Sequence, residues 1–253
     1  MNGAFYIGAT GLRAEQRALD ITANNIANLN TLGFKRSQAR FSELVTQTSE
    51  IEARGADRLE LSGVSAGAVS RVFGQGELKV TGKALDIAID GEGFIELLGP
   101  SGQGVVWRGG SLEVGDDGLL AGPDGMPLKA MICVPMGAQS LNIGADGKVL
   151  AQLDGDTSLT EIGQIDLVLI KNPAALSPLS EGVYALNEAA AGQLTAPGEE
   201  GAGLLVQGSV ELSNVQLTDE MVALLVTQRA YAANAQVIQA GDQLMAIANN
   251  LKR

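Results

Sequence analysis

The residues with the clearest chemical potential form a short motif in which glycines flank a serine. Gly63-Val64-Ser65-Ala66-Gly67 matches the G-x-S-x-G pattern of a nucleophile elbow letter for letter. Such a serine needs a base to take its proton, and the chain contains no histidine. The lack of histidine excludes Ser-His-Asp and Cys-His nucleophiles, and it excludes histidine-based zinc sites as well. We interpret the motif as a chance match in a flexible loop.

The single cysteine offers no better chemistry. Cys133 has no second cysteine with which to form an internal disulfide. It stands in the apolar run Met131-Ile132-Cys133-Val134, where cysteine usually behaves as a small hydrophobic residue. The sequence therefore predicts a buried thiol with no reactive role.

The remaining chemical motifs are incomplete. Gly91-Glu92-Gly93 lacks the third glycine of a dinucleotide fingerprint, and the Asp-Gly pairs of the chain lack the ligand spacing of a calcium loop. The carboxylate pairs Asp116-Asp117 and Glu199-Glu200 leave a secreted, carboxylate-based glycosidase open as an alternative, although adjacent acids in glycine-rich loops are usually solvated. We predict no catalytic residue, no cofactor and no metal.

Charge and hydropathy restrict the partners. The chain has 253 residues and a formal net charge of -12, so nucleic acid and anionic membrane surfaces repel it. No stretch approaches the ~20 apolar residues of a membrane-spanning helix. The opening residues, Met1 to Tyr6, lack the basic segment of a cleavable secretion signal. We expect no nucleic-acid binding and no membrane insertion, and any export must use a route that does not read such a signal.

The middle of the chain predicts short antiparallel strands. Asp-Gly pairs, which suit the positive-φ positions of tight hairpin turns, recur at Asp90-Gly91, Asp117-Gly118, Asp124-Gly125, Asp146-Gly147 and Asp154-Gly155. Apolar runs such as Phe94 to Leu98 and Ile165 to Ile170 lie between them. We predict an antiparallel β domain over residues 78–208.

Both ends of the chain predict amphipathic helices with a seven-residue apolar period. The predicted helical segments are residues 1–34 and 209–253. The apolar residues that repeat every seven positions within them are Phe5, Leu12, Leu19, Ile26, Leu217, Leu224, Tyr231, Ile238 and Met245. A second stripe follows Ala230, Val237, Leu244 and Leu251. The first helix should end near Asn28, Asn30 and Gly33, and Ser213 to Gln216 favours a capping box for the second.

Periodicity leaves two arrangements of these helices open. They pair with each other, or they pack on the β domain as ordinary surface helices. Between them and the β domain, residues 35–77 have an irregular pattern that indicates an extended connecting arm or loose hairpin. The predicted class is α+β: a discontinuous, coiled-coil-like helical core from both termini, an extended arm and a central antiparallel β domain.

Four stretches carry a resemblance beyond periodicity. The run from Asn24 to Arg36 resembles the N-terminal signature of the flagellar rod and hook proteins, and Leu85 to Phe94 is similar to the start of their β domain. Gly201 to Val215 looks like the return to their helical core, and Thr227 to Asn234 resembles their C-terminal helix motif. The residues that carry the terminal signatures are Asn24, Asn25, Asn28, Gly33, Phe34, Gln228, Arg229 and Tyr231.

The resemblance implies a structural subunit without enzymatic activity. Length and the run Gly-Ala-Gly-Leu-Leu favour the type that forms the distal rod, with the proximal rod type and a hook-like axial protein as alternatives. Such subunits stack helically with copies of themselves into the drive shaft that crosses the periplasm within the basal body. Their implied neighbours are other rod proteins, hook-side proteins and the surrounding bushing rings. Export proceeds through the flagellum's own type III channel without cleavage.

Burial energetics point the same way. The nine heptad residues supply less burial than the ordering of both terminal segments costs. We therefore expect the nine to form an assembly interface, with sister copies supplying the missing burial and the ends ordering on incorporation. A monomeric module whose helices pack on its own sheet remains the alternative at this point.

Overall fold

A computed structural model describes residues 2–45, 61–100, 102–154, 158–180, 182–186 and 192–250. The chain forms two compact units. The first, the helical unit, comprises Met1–Ala27, Ser37–Arg71 and Gln216–Arg253, and the second, the β unit, comprises Asn28–Arg36 and Val72–Val215. Each unit draws on remote parts of the chain, and the predicted α+β class is confirmed.

The helical unit contains two long helices and one strand pair. Helix α1 spans Asn2–Ala27 and helix α2 spans Leu217–Asn250. Strands β1 (Ser37–Val45) and β2 (Leu61–Arg71) pair antiparallel, with Ser37 opposite Arg71. Helix α1 packs against α2 and also against β2. Of the two helix arrangements that the sequence left open, the structure adopts pairing of the termini.

The ends of the helices follow local chemistry only in part. Helix α1 stops at Ala27, and Gly33 adopts a φ of 64°, as its position after the asparagines predicted. The predicted capping box before α2 is wrong. The helix starts at Leu217, and the Ser213 hydroxyl accepts a hydrogen bond from the Val215 amide, ahead of the first turn. The Asn214 side chain is engaged elsewhere, as shown below.

Short antiparallel strands build the β unit. They are β3 (Leu78–Val80), β4 (Asp86–Asp90), β5 (Phe94–Leu98), β6 (Gly104–Trp107), β7 (Gly109–Ser111), β8 (Glu113–Val114), β9 (Leu120–Ala121), β10 (Ala138–Ile143), β11 (Lys148–Leu153), β12 (Leu159–Gln164), β13 (Leu167–Ile170), β14 (Ser177–Ser180), β15 (Val183–Ala185), β16 (Gly192–Thr195), β17 (Leu204–Gln207) and β18 (Ser209–Glu211). Single 3-10 turns occupy Pro123–Gly125 and Pro173–Ala175.

The strands group into small sheets around one main core. The largest sheet has six strands in the order β14-β15-β6-β5-β13-β16, and the next two are β10-β11-β12 and β17-β4-β7. The pairs β18-β3 and β8-β9 complete the unit among the described residues. Ile87, Ile95, Leu97 and Val149 belong to the buried core that these sheets share. Because Asn28–Arg36 and residues up to Val215 also belong here, the limits of the unit differ from the predicted interval 78–208.

Three Asp-Gly pairs, at 117–118, 124–125 and 146–147, form tight turns between paired antiparallel segments, as the sequence predicted, whereas Asp90-Gly91 joins β4 to β5, which do not pair with each other. Gly91, Gly118, Gly125 and Gly147 all have positive φ, and Asp124 does as well. Gly147 closes the hairpin in which Ile143 of β10 lies opposite Val149 of β11. The fifth pair reaches into residues 155–157, which lie outside the described residues.

The prediction for Cys133 is wrong. Its side chain is exposed, whereas the neighbouring Ile132 is almost fully buried. Leu119 and Cys133 form an antiparallel bridge, and side chains alternate between the two sides of extended backbone. An apolar run of this length therefore places only alternate residues in the core.

Candidate functional site

The two long helices meet along an antiparallel seam that is lined by glycine. A Cβ at Gly8 would lie 2.7 Å from Cγ1 of Ile238, and a Cβ at Gly11 would lie 2.9 Å from Nδ2 of Asn234. At the other end of the seam, Gly241 faces the ring of Phe5. Residue numbers rise along α1 as they fall along α2, so the helices run in opposite directions. Glycine costs helix stability, and close helix approach is the physical reason for it here.

The nine heptad residues divide into two groups by exposure. Phe5, Leu12, Leu19, Ile26, Leu224 and Ile238 are half-buried within the subunit. The exposed group consists of Leu217, Tyr231 and Met245, all on α2. A strict seven-residue period drifts by about 20° per heptad on a straight helix, but exposure alternates from one heptad residue to the next along α2, so the period alone does not decide which residues are covered. The first group lies where intramolecular packing can use it, and the second faces solvent in the single subunit.

A second apolar face of α2 has no cover from within the subunit. We call it the α2 stripe, and its members are between 53% and 62% exposed: Val222, Val226, Val237, Leu244 and Ile247. At 3.6 residues per turn these positions fall within about 80° of arc. The sequence analysis named Val237 and Leu244 but missed the other three. The missed signal was that apolar residues occupy more of the α2 circumference than one partner helix can cover.

Strand β2 covers a further part of α1, although Tyr6 and Ile7 stay exposed. A Cβ at Gly63 would collide with the Thr10 hydroxyl of α1. Gly63 has a φ of 83°, and Ser65 lies two residues further along the same strand, half-buried. The G-x-S-x-G motif is therefore part of a strand packed on a helix, and its predicted loop setting is wrong. Its first glycine allows the close approach of strand and helix.

A buried ion cluster lies in the β unit. Glu211 of β18 accepts hydrogen bonds at Oε1 from Nζ of Lys35, at 2.6 Å, and from the Gly76 amide, at 2.7 Å. Its Oε2 accepts from Nε of Arg108, at 2.9 Å. The Lys35 and Glu211 side chains are at most 1% exposed. Burial lowers the pKa of Lys35 from its usual value, and the adjacent Glu211 carboxylate opposes this shift.

Arg108 extends the cluster to a glycine-rich turn. Its two terminal nitrogens donate to the carbonyls of Gly91 and Gly93, and its guanidinium carbon lies 5.7 Å from the centre of the Phe94 ring. Every nitrogen of this buried guanidinium therefore has an acceptor. Satisfied partners are what make a buried charge tolerable.

Asn214, like Glu211, bonds to several segments of the β unit, in this case through its side-chain amide. Its Oδ1 accepts from the Arg36 backbone amide at 2.7 Å, and its Nδ2 donates to the carbonyls of Val72 and Gly74, at 2.8 and 2.9 Å. Lys35 Nζ also donates to the Gly74 carbonyl, at 2.9 Å. We call Lys35, Arg108, Glu211 and Asn214 together the Glu211 clamp. None of the four was selected as a site residue by the sequence analysis, although a charge in the run Val210-Glu211-Leu212 was an available signal.

The residues of the N-terminal signature mainly hold local structure. Buried Asn25 accepts from the Ser37 amide and donates to the Ser37 carbonyl, both at 2.9 Å, which ties the end of α1 to β1. The Asn28 side chain accepts from the Thr31 hydroxyl. The Gly33 amide donates to the Glu211 carbonyl at 2.8 Å, and Phe34 is half-buried. Asn24 is exposed.

The residues of the C-terminal signature lie on the surface. Gln228, Arg229 and Tyr231 are all exposed on α2. Within the part of the chain that the structure describes, the helix therefore presents these signature residues to solvent, together with the α2 stripe.

Three regions of the chain match models of known protein families. The model for the flagella basal body rod protein matches residues 5–35, that for the flagellar hook protein FlgE/F/G D1 domain matches residues 88–151, and that for the flagellar basal body rod FlgEFG protein C-terminal region matches residues 206–251. The flagellar basal-body rod protein FlgG of Caulobacter vibrioides is 36% identical over 98% of this chain and 99% of its own. The FlgG protein of Borreliella burgdorferi is 36% identical over the full length of both chains, and that of Bacillus subtilis is 34% identical over 99% of both.

The chain belongs to the flagellar basal-body rod FlgG family.

This rod protein is a structural subunit, and its family places it in the basal body of the flagellum. The resemblance that the four sequence stretches carried is confirmed, and the relatives give no support to the glycosidase alternative. The clamp draws its residues from all three matched regions: Lys35 from the first, Arg108 from the second, and Glu211 and Asn214 from the third. Over the described residues of the rod protein, neither helix combines the length and hydrophobicity that crossing a bilayer requires.

Proposed function

We propose that this chain is a distal rod subunit that assembles helically with copies of itself and transmits torque from the motor to the hook. The observation that carries the proposal is the α2 stripe. Its apolar side chains are more than half exposed on a protein whose formal net charge is -12. Exposed large apolar side chains that recur along one face of a helix are typical of an interaction site in soluble proteins.

The energy of covering the stripe favours association. Full burial of a large aliphatic side chain gains about 1.5–3 kcal/mol, so covering its exposed half gains roughly 1 kcal/mol. The five stripe residues would together contribute several such increments in every subunit. Repeated along a polymer, this gain is available at each lateral contact.

The geometry of the contact decides what kind of polymer forms. A contact between two different faces of the same protein does not close on itself unless the rotation happens to close a ring. An open helical tube is the general outcome, and a tube can carry torque by stiffness alone. The exposed heptad residues Leu217, Tyr231 and Met245 lie at least about 80° around the helix from the stripe, and they form a second, separate part of the proposed assembly interface.

The half-buried heptad residues of α1 have a different role in this proposal. Phe5, Leu12, Leu19 and Ile26 hold α1 in place within the subunit, so that α2 is presented to a neighbour in one orientation. We expect the helical unit to gain further order on incorporation. Circular dichroism of dilute monomer and of assembled protein tests this expectation, because equal helix content in the two would contradict it.

The partners follow from the place of such a subunit in the basal body. We propose other rod proteins and hook-side proteins at the two ends of the tube, with the bushing rings around it. We also propose export through the flagellum's type III channel without cleavage of a signal.

Charge substitutions in the α2 stripe test the proposal directly. Val226→Asp and Leu244→Asp should leave the monomer folded but prevent polymer formation, since both side chains are already more than half exposed. Gln239→Asp, an exposed position on another side of α2, is the matched control. Sedimentation velocity and electron microscopy of concentrated protein measure the outcome. Tubes of unchanged yield from the Val226→Asp and Leu244→Asp variants would overturn the proposal.

A further inference from the structure

We propose that the Glu211 clamp is a positioning device that holds the chain connections leaving the β unit in one fixed arrangement. The mechanical consequence of this inference, stiffness of the assembled shaft, rests on the proposed function. The arrangement itself is a property of the single subunit.

The position of the clamp along the chain is the first argument. The chain passes from one unit to the other after Ala27, Arg36, Arg71 and Val215. Within the β unit, the Val72 amide donates to the Arg36 carbonyl at 2.9 Å, and the Asn214 side chain bonds to both of these residues. The last residue before β1, the first residue after β2 and a residue just before α2 are thus fastened to each other.

Glu211 joins the same two connecting segments through a separate set of hydrogen bonds. Its carboxylate holds Lys35 and Gly76, and its backbone carbonyl accepts from the Gly33 amide at 2.8 Å. Through Arg108 it also holds the turn at Gly91 and Gly93. One glutamate therefore ties two connecting segments to the body of the β unit.

The chemistry of the clamp indicates that it fixes the arrangement of the segments more than it adds to the folding free energy. Desolvating a glutamate, a lysine and an arginine offsets much of their mutual attraction, so apolar residues of similar size often stabilise a core equally well. Hydrogen bonds, unlike apolar contacts, hold only at set distances and angles. A satisfied buried polar network therefore specifies one arrangement of the segments that it joins.

Backbone sterics reinforce this specificity at Gly76. A Cβ there would collide with the carbonyl of Leu212, the residue after Glu211. The Leu212 amide in turn donates to the Glu77 carbonyl at 2.9 Å. The segment after β2 can approach the strand before α2 this closely only because position 76 has no side chain.

Two substitutions of Asn214 separate the bonds of the clamp. Asn214→Asp keeps an oxygen to accept from the Arg36 amide but cannot donate to Val72 and Gly74. Asn214→Ala loses all three bonds. Asn172→Ala is the matched control, because Asn172 is exposed and its side chain makes no capping bond to the turn that follows it.

Amide hydrogen exchange of the free subunit is the first measurement. We expect exchange at Arg36 to rise about tenfold or more in Asn214→Ala and to stay close to wild type in Asn214→Asp. Exchange at Leu97, deep in the core, should not change in either variant or in the control. Unchanged exchange at Arg36 in Asn214→Ala would overturn the proposal. An equal rise at Arg36 and Leu97 would also overturn it, because it would show a loss of global stability only.

The stiffness of assembled tubes is the second measurement. Tubes of Asn214→Ala subunits should form but should bend more than wild-type or Asn172→Ala tubes, with a shorter persistence length by electron microscopy. Equal stiffness of all three would contradict the mechanical role. If wild-type subunits formed no tubes, the proposed function would fail, and the exchange experiment alone would decide whether the clamp fixes the connections.

Discussion

Helices α1 and α2 share a seven-residue apolar period but differ in what covers them. Helix α1 lies against α2 and against strand β2, and glycines at positions 8, 11 and 63 permit both approaches. Helix α2 contacts α1 on one face and leaves the α2 stripe in solvent. The difference shows that an amphipathic pattern marks a surface to be buried without saying whether the cover comes from the same chain or from another copy.

The two helices should therefore respond differently to equivalent substitutions. A change on the covered side of α1 should act on the stability of the single subunit. A change on the α2 stripe should act on association and leave the single subunit almost unaffected.

The largest effect is expected from filling the glycine seam. Gly8→Leu places a side chain where even a Cβ would lie 2.7 Å from Ile238, so overpacking should cost about 1–3 kcal/mol of unfolding free energy. The control Ala232→Leu adds a similar bulk to an exposed position of α2 and should cost less than about 0.5 kcal/mol. Urea unfolding of dilute monomer, followed by circular dichroism, measures both. Equal stability of the two variants would mean that α1 is not closely covered by α2.

A truncation pair gives a smaller effect of the same kind. Leu19→Ala removes a half-buried side chain of α1 and should cost about 1–2 kcal/mol of unfolding free energy. Leu225→Ala removes an exposed side chain of α2 and should cost less than about 0.5 kcal/mol. Thermal unfolding at a concentration below that of assembly compares them. A larger loss for Leu225→Ala would reverse the contrast between the helices.

The smallest effect concerns the Glu15 carboxyl group on α1. Burial raises the pKa of Glu15 on α1, so the folded state holds this proton more tightly than the unfolded state does. Stability contributed by the protonated form is present at low pH and is lost as pH rises through the raised pKa. Glu15→Gln should therefore be slightly more stable than wild type at pH 7, and its advantage should shrink as the solution is acidified.

Gln243→Asn, at an exposed position of α2, changes no titratable group and is the control for this pH dependence. A constant difference between Glu15→Gln and wild type from pH 4 to pH 7 would contradict the partial burial of Glu15. Thermal scans in matched buffers make the comparison.

Local patterns predicted the elements of the fold because their causes are local. Positive φ at Gly91, Gly118 and Gly147 follows from the conformational freedom of glycine after aspartate. The heptads of α1 and α2 follow from helix geometry, and the lack of histidine removed several classes of catalytic site without any structure. Cys133 and Ser213 were mispredicted because strand alternation and a competing local hydrogen bond decided their surroundings.

Local sequence patterns could not predict the clamp, because its residues are far apart in the sequence. Lys35 and Glu211 are 176 positions apart, and Arg108 and Glu211 are 103 apart. No spacing rule relates residues at such separations. Only the path of the backbone brings their charges within hydrogen-bond distance.

Local sequence patterns were enough to predict two amphipathic terminal helices, an antiparallel β domain between them and no histidine-dependent chemistry. The fold established that α1 packs against α2 and β2, that the α2 stripe lies in solvent in the single subunit, and that Glu211 bonds to the connecting segments. The reason is that periodicity reflects the immediate neighbours of each residue along the chain. Burial and ion pairing depend instead on which distant segments the fold brings against it.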